Sequence, residues 1–392
     1  MYSVRQSCQS ALRASRYACL YAHSPARAFS SSPAYSRGAL PSFLPPSSPD
    51  LASLLSAFNS KVLLPCHLTS EQQKLVYSQE ARAKLEAEPV EITLGDVTLP
   101  LEHIDRNKLP SRWHTLRDIV RKSETTDDWE NVLRCLEGFE EAGIKVKWEW
   151  QQMVMRALGN AGRQNLIIKA LQRPKASGIR LYNWGVLLQV LRAVHDQAVM
   201  VDWQQEETMK ALKMANQVVE LMENKLHCEG DWVPKTDVGD WRGHPAVVAL
   251  PTEMTAVIAE KYGGDKEAVQ KMANRLVAAI EQIDYMTTVN TIAAYAGQPP
   301  EEFAKSIHRQ GFILQLCSKL IELAIVWNAL KTSRKVLAAD MPSATEAQQY
   351  EAKIEHVIMQ GVAKLNSLQT IKGPEFRSST ANYVMEMVEK CQ

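Results

Sequence analysis

The first 49 residues contain no aspartate and no glutamate, and the first acid in the chain is Asp50. Arg5, Arg13, Arg16, Arg27 and Arg37 stand there among serine and alanine. An acid-free start rich in Arg and Ser is the composition of a mitochondrial presequence, a basic amphipathic helix drawn inward by the membrane potential. The unbroken apolar core of a secretory signal is missing. Arg27-Ala28-Phe29-Ser30-Ser31-Ser32 has the look of a matrix-peptidase cleavage site. The plain alternative is a disordered basic tail. We read residues 1–37 as the presequence and expect the protein in the mitochondrion, on the matrix side.

Other absences narrow the function. The seven cysteines (Cys8, Cys19, Cys66, Cys135, Cys228, Cys317 and Cys391) form no CxxC, so neither a disulfide framework nor a zinc module is announced. Cys66-His67 and His227-Cys228 are adjacent pairs without zinc-finger spacing, and no metal is expected. No phosphate loop, dinucleotide fingerprint, nucleophile elbow or HExxH occurs, so neither a cofactor nor an enzyme is expected. Gly263-Gly264-Asp265-Lys266 lacks the strand that a phosphate loop needs and reads as a turn. The most apolar stretch, 311–330, carries Lys319 and Glu322 near its middle, which marks a buried helix rather than a membrane span. Strand-type alternation is confined to Val90–Leu99, room for one small hairpin around Gly95-Asp96.

Without the five presequence arginines, 40 basic residues face 44 acidic ones, a net charge of −4. A mildly acidic protein is no general polyanion binder, so any nucleic-acid contact must come from a local patch. Roughly 340 residues remain, enough for a large core.

What is present is helix. Residues 38–67 form a Pro/Ser-rich linker with one short apolar helix near Leu51–Phe58. A helical region over 68–226 opens with a helix at 68–88 that Thr69 or Ser70 can cap. An irregular insertion follows at 227–247, and a C-terminal helical region at 248–392. That last region is expected to hold helices at 252–262, 265–282, 301–338, 344–368 and 378–390, with Asp265 capping the second. Glu206-Glu207 and Glu301-Glu302 suit first helical turns and need no catalytic reading.

From about residue 109 a period emerges. Gly143-Ile144-Lys145 recurs as Gly178-Ile179-Arg180, 35 residues on. Trp113 and Trp148 are also 35 apart, and Trp184 follows 36 later. Each unit is a helical hairpin ending at a left-handed glycine, and such a hairpin buries its apolar faces only by stacking on neighbours. The expected fold is therefore all-α, a solenoid of stacked helical hairpins.

The 35-residue period, the Ala161-Gly162-Arg163 turn and the Gly-Ile-Lys/Arg junctions resemble pentatricopeptide repeats, relatives of tetratricopeptide repeats, over about Leu109–Leu226. The resemblance implies single-stranded RNA binding in organelles, with a polar residue early in each first helix reading one base. Carried over, that position falls on Arg117, Gln152 and Leu187. Leu187 can read nothing, and Leu116, Gln151 and Val186 stand where the family has an aromatic. The code is degraded, and a divergent repeat that binds protein fits equally well.

Arg117, Arg121, Gln152 and Arg156 then form a candidate RNA-facing strip, against the plainer reading of a solvated helix face. Trp113, Trp148, Trp150, Trp184 and Trp203 read as packing between hairpins rather than as base-stacking platforms. Trp232 and Trp241 are candidates for a partner-docking loop. The expected function is a non-enzymatic binding protein of mitochondrial gene expression, contacting a transcript or the mitoribosome. The alternative is a scaffold or assembly factor for a respiratory complex, binding protein alone.

Overall fold

The computed structural model describes residues 38–87, 90–228, 241–299, 306–370 and 378–392. All lie within one compact unit, Gly38–Gln392. The presequence and Trp232 fall outside the described residues.

The stretch expected as a linker is packed. After Ser48 caps it, α1 (Pro49–Ala57) runs through a π-helical turn at Phe58–Leu63 into α2 (Leu64–His67). Leu51, Leu55, Phe58 and Leu63 are buried. The reason lies in α6 (Thr126–Glu141), whose buried Asn131 and Asp128 supply the hydrogen bonds that the proline-rich segment before α1 cannot make with itself. Asn131 accepts from Leu44 N at 2.8 Å and donates to Leu44 O at 3.0 Å, while Asp128 accepts from Ser47 N at 3.0 Å. Gly138 marks the crossing: a Cβ there would meet Leu63 Cδ1 at 2.7 Å and Pro41 Cγ at 2.9 Å.

The helix expected over 68–88 is two, α3 (Ser70–Tyr77) and α4 (Gln79–Ala87), because Ser78 is extended. Thr69 caps α3 in a reciprocal box with Gln72. Strands β1 (Glu91–Leu94) and β2 (Val97–Pro100) pair antiparallel with Leu94 opposite Val97, leaving Gly95-Asp96 as the turn. Gly95 takes φ +66°, as two-residue hairpin turns require.

Three hairpins follow: α5 (Arg112–Lys122) with α6, α7 (Trp148–Asn160) with α8 (Gln164–Gln172) and α9 (Pro174–Ser177), and α10 (Trp184–Val199) with α11 (Gln205–Leu221). Gly143 and Gly178, matched by the period, both take φ +69°. Helix α7 packs on α5 and on α10.

Helix α12 (Lys225–Cys228) precedes undescribed residues, and Trp241–Gly243 forms a single 3₁₀ turn. The next helix, α13 (Pro245–Tyr262), starts seven residues earlier than expected. Pro245 sits in its first turn, where a missing N–H costs nothing, and it runs on through Pro251. Asp265 caps α14 (Lys266–Gln282) as expected, and α15 (Tyr285–Ala296) was not anticipated. The chain closes with α16 (Ser306–Leu337), α17 (Ala344–Thr370) and α18 (Ser379–Cys391). Helix α16 is long and apolar enough to cross a membrane by composition, but 78% of its most apolar window is buried in the protein. It packs on α10, α13, α14, α15, α17 and α18, the hub of the C-terminal half. The described chain is thus all-α apart from one hairpin of strands.

Candidate interaction groove

Close approach of two helices creates the site. Gly159 on α7 faces Ala193 on α10, and a Cβ on Gly159 would lie 2.9 Å from Ala193 Cβ. Two small residues let the helices pack tightly, which brings Arg156 and Arg192 to one edge. Farther along the same contact, Gln152 lies directly over Gly185, where a Cβ would be 2.2 Å from its amide nitrogen.

Arg192 is buried and held on three sides. It donates to Asn160 Oδ1 at 3.0 Å, pairs with Asp196 at 3.5 Å, and stacks over the Tyr383 ring at 3.7 Å. The Tyr383 hydroxyl donates to Asp196, closing a network between α10 and α18. Burial raises the Asp196 carboxyl above its ordinary range, with the Arg192 guanidinium opposing. Arg156 differs. Burial, then the neighbouring Arg192, lowers its pKa, and it makes no hydrogen bond or ion pair among the described residues.

The two arginines stand where two cavities meet. The larger, about 690 Å³, is bounded by Asn160, Gln197 and the α18 residues Ser379, Thr380 and Glu386. The smaller, about 480 Å³, is bounded by Gln152, Trp184, Lys319 and Glu322. Both touch Arg156, Arg192, Leu314 and Thr380, so they form one groove between α7–α10 and α16–α18. An uncompensated guanidinium beside a second cation, in a partly desolvated groove, is electrostatically prepared for an anion.

Of the four strip residues expected from sequence, Gln152 and Arg156 line this groove. Arg117 and Arg121 do not: Arg117 pairs with Asp118 at 3.1 Å, and Arg121 is exposed. Where an aromatic was missing, Leu116 and Val186 are core residues, and so is Leu187. Arg192, the groove's second cation, was overlooked, although an arginine, a histidine and an aspartate in the largely apolar helix α10 were the available signal.

Trp241 is not presented as a free docking residue. Its ring packs 5.0 Å from Trp184 and its indole donates to Tyr182 O at 2.8 Å. His244, which caps α13, sits 4.2 Å from Trp184, and Tyr285 donates to Glu322 at 2.8 Å just beneath. Burial pushes His244 down to about 4 and Glu322 up to about 7. The tryptophans read as packing between hairpins include Trp113, stacked 5.7 Å from Trp150, and the buried Trp203. Trp148 is the correction: it is 56% exposed, whereas Trp184 at the matching place is covered by Trp241 and His244. The Cys66-His67 and His227-Cys228 pairs do not come together as ligands among the described residues, and His227 instead bonds Leu171 O at 2.8 Å.

Comparison with known proteins places this architecture. The family described as mitochondrial ribosomal protein mS27 matches residues 27–389, nearly the whole chain. The chain belongs to the mS27 family. A similar protein is the small ribosomal subunit protein mS27 of Neurospora crassa, 24% identical over 237 residues. That match spans 59% of this chain and 60% of the relative's own length. The mS27 family is one of mitochondrial ribosomal structural proteins, not of enzymes.

Proposed function

We propose that the protein is a structural component of the mitochondrial small ribosomal subunit and grips the phosphate backbone of ribosomal RNA through the Arg156–Arg192 groove. The single observation carrying this reading is Arg156, without a partner among the described residues, beside Arg192 in the lining of a cavity of about 690 Å³. The named relative from Neurospora crassa supports the ribosomal setting. On this reading the three hairpins from α5 to α11 are divergent pentatricopeptide-type units. They keep the stack and its left-handed glycines but hold RNA by charge rather than reading bases, since Leu187 at a reading position is core. Arg117 and Arg121 extend the contact along the outer face of α5, outside the groove.

The test is crosslinking in intact mitochondria followed by parallel sequencing of bound RNA and identification of bound proteins, with sedimentation of the small subunit. Ribosomal RNA segments crosslinked to α7 and α10, diminished by Arg156→Ala, support the reading. Recovery of respiratory subunits with no ribosomal RNA sinks it. That outcome leaves the protein-binding scaffold, a reading favoured by Asp196, Glu322 and Glu386 on the groove walls.

A further inference from the structure

One turn along α10 from Arg192, and deeper in the interior than the groove, three potential ligands from three helices converge. His195 of α10 and Glu253 of α13 are fully buried, and Cys391 of α18 is 4% exposed. His195 Nε2 lies 3.1 Å from Glu253 Oε1 and 3.9 Å from Cys391 Sγ. The imidazole nitrogen, thiol sulfur and carboxylate oxygen all lie within 4.8 Å of one another.

We propose that His195, Glu253 and Cys391 bind a structural divalent transition-metal ion of the zinc class that fastens the C-terminal helix to the core. A tetrahedral zinc with bonds of about 2.0–2.3 Å holds its ligand atoms about 3.3–3.6 Å apart. The 3.1 and 3.9 Å separations bracket that range and the third is no more than 4.8 Å, so shifts of about an ångström bring all three ligands onto one ion, with a fourth position left to a small ligand such as water. Nitrogen, sulfur and oxygen donors on one ion suit zinc, which accepts all three.

A second observation points to a ligand. Glu253 Oε2 has no hydrogen-bond partner among the described residues, although it is a buried carboxylate oxygen. Such an atom costs free energy unless something positive meets it. Its sister oxygen is oriented from outside: Asn328 Nδ2 donates to Oε1 at 2.6 Å, and Thr332 donates to Asn328 Oδ1 at 3.3 Å. Asn328 thus orients the carboxylate whose Oε1 faces His195, as an outer-shell donor does for a ligating carboxylate, and leaves the second oxygen to be met by positive charge.

Charge balances as well. Binding a dication releases the proton between His195 and Glu253 and the thiol proton of Cys391. Two protons leave for two charges gained, and no oxidant or reductant takes part.

The experiment uses the tag-free full-length chain, purified without chelator. Metal analysis is expected to give about one zinc per chain, released by a strong chelator with a fall in Tm. Cobalt(II) added to the stripped protein should give a thiolate-to-cobalt charge-transfer band. Cys391→Ser should lose that band while Cys8, Cys19, Cys66, Cys135, Cys228 and Cys317 remain. A folded wild-type chain with metal far below stoichiometric and no such band overturns the proposal. The wild-type spectrum decides even where the variant does not fold. A band that persists in folded Cys391→Ser overturns the assignment too, since another thiolate then makes it.

Discussion

Arg192 and His195 stand three residues apart on α10, yet they face opposite fates. Arg192 looks into the groove, where its neighbour Arg156 has no partner among the described residues. His195 looks into the core, where Glu253 lies 3.1 Å away and Asn328 and Cys391 close in. Burial alone would push the His195 imidazole down, but Glu253 and Cys391 raise it well above its ordinary range. The same helix thus carries an open cluster whose charge is left over and a closed one whose charges cancel. Leftover charge at an accessible edge is suited to recognition, whereas matched charge in a dry interior ties elements together.

The closed cluster should respond most violently to disruption. Glu253→Ala strands a buried histidine, and breaking a buried charged pair costs about 3–5 kcal/mol. Urea unfolding followed by circular dichroism should show that loss. A change below about 1 kcal/mol would mean that the interior there is wetter and softer than the 0% exposure of both side chains implies.

A third polar site, Glu322 with His244, sharpens the contrast through pH. The Glu322 pKa is raised to about 7 from 4.5, so its share of stability is full below 4.5 and is lost as pH rises through 7. The His244 pKa is depressed to about 4 from 6.5, so its share is full above 6.5 and is lost as pH falls through 4. Between pH 4.5 and 6.5 the two slopes oppose each other. Glu322→Gln removes the first while keeping an acceptor for Tyr285. It should stabilise the protein by up to about 3 kcal/mol at pH 8 and expose a rise of stability with pH. Denaturation at pH 5, 6, 7 and 8 checks both signs, and identical profiles for variant and wild type would reject the buried-carboxylate account.

These clusters also show what the sequence could and could not reveal. The left-handed glycines Gly143 and Gly178, a cap at Thr69 or Ser70 and the Asp265 cap were legible because each needs only a few neighbouring residues. So was the hairpin turn at Gly95, and so was the burial of the apolar 311–330 stretch around Lys319 and Glu322. The partners of α10 were not. His195 meets a carboxylate 58 residues away and a thiol 196 away, and Tyr383 reaches Asp196 across 187. No local period encodes such pairings. In residues 38–67 the short apolar helix was legible but the packing of the segment before it was not: prolines signal irregular backbone, and only the distant Asn131 and Asp128 explain why that backbone is packed.

The open cluster is expected to behave differently from the closed one in each measurement. Arg156→Ala removes an unpaired charge beside a like charge, so the free protein should keep its stability within about 1 kcal/mol. Its effect should appear in RNA binding, as a salt dependence whose log–log slope is shallower by about one. Filter binding of small-subunit ribosomal RNA across a salt series measures this. An unchanged slope with weakened binding would shift the role of Arg156 from phosphate contact to packing.

The smallest effect is reserved for Trp148. Its 56% exposure at the start of α7 leaves little to lose on truncation, and Trp148→Ala should change stability by no more than about 0.5 kcal/mol. Trp184, at the matching place in the next unit, is instead packed against Trp241 and His244. The two tryptophans share a position in the period but not an environment, because the next unit receives the chain returning at Trp241 and α7 receives none. A loss of 2 kcal/mol or more from Trp148→Ala would show that a packing contact covers that ring in solution. A silent variant would mean that the 35-residue spacing of Trp113 and Trp148 preserves register without preserving the packing that a tryptophan brings.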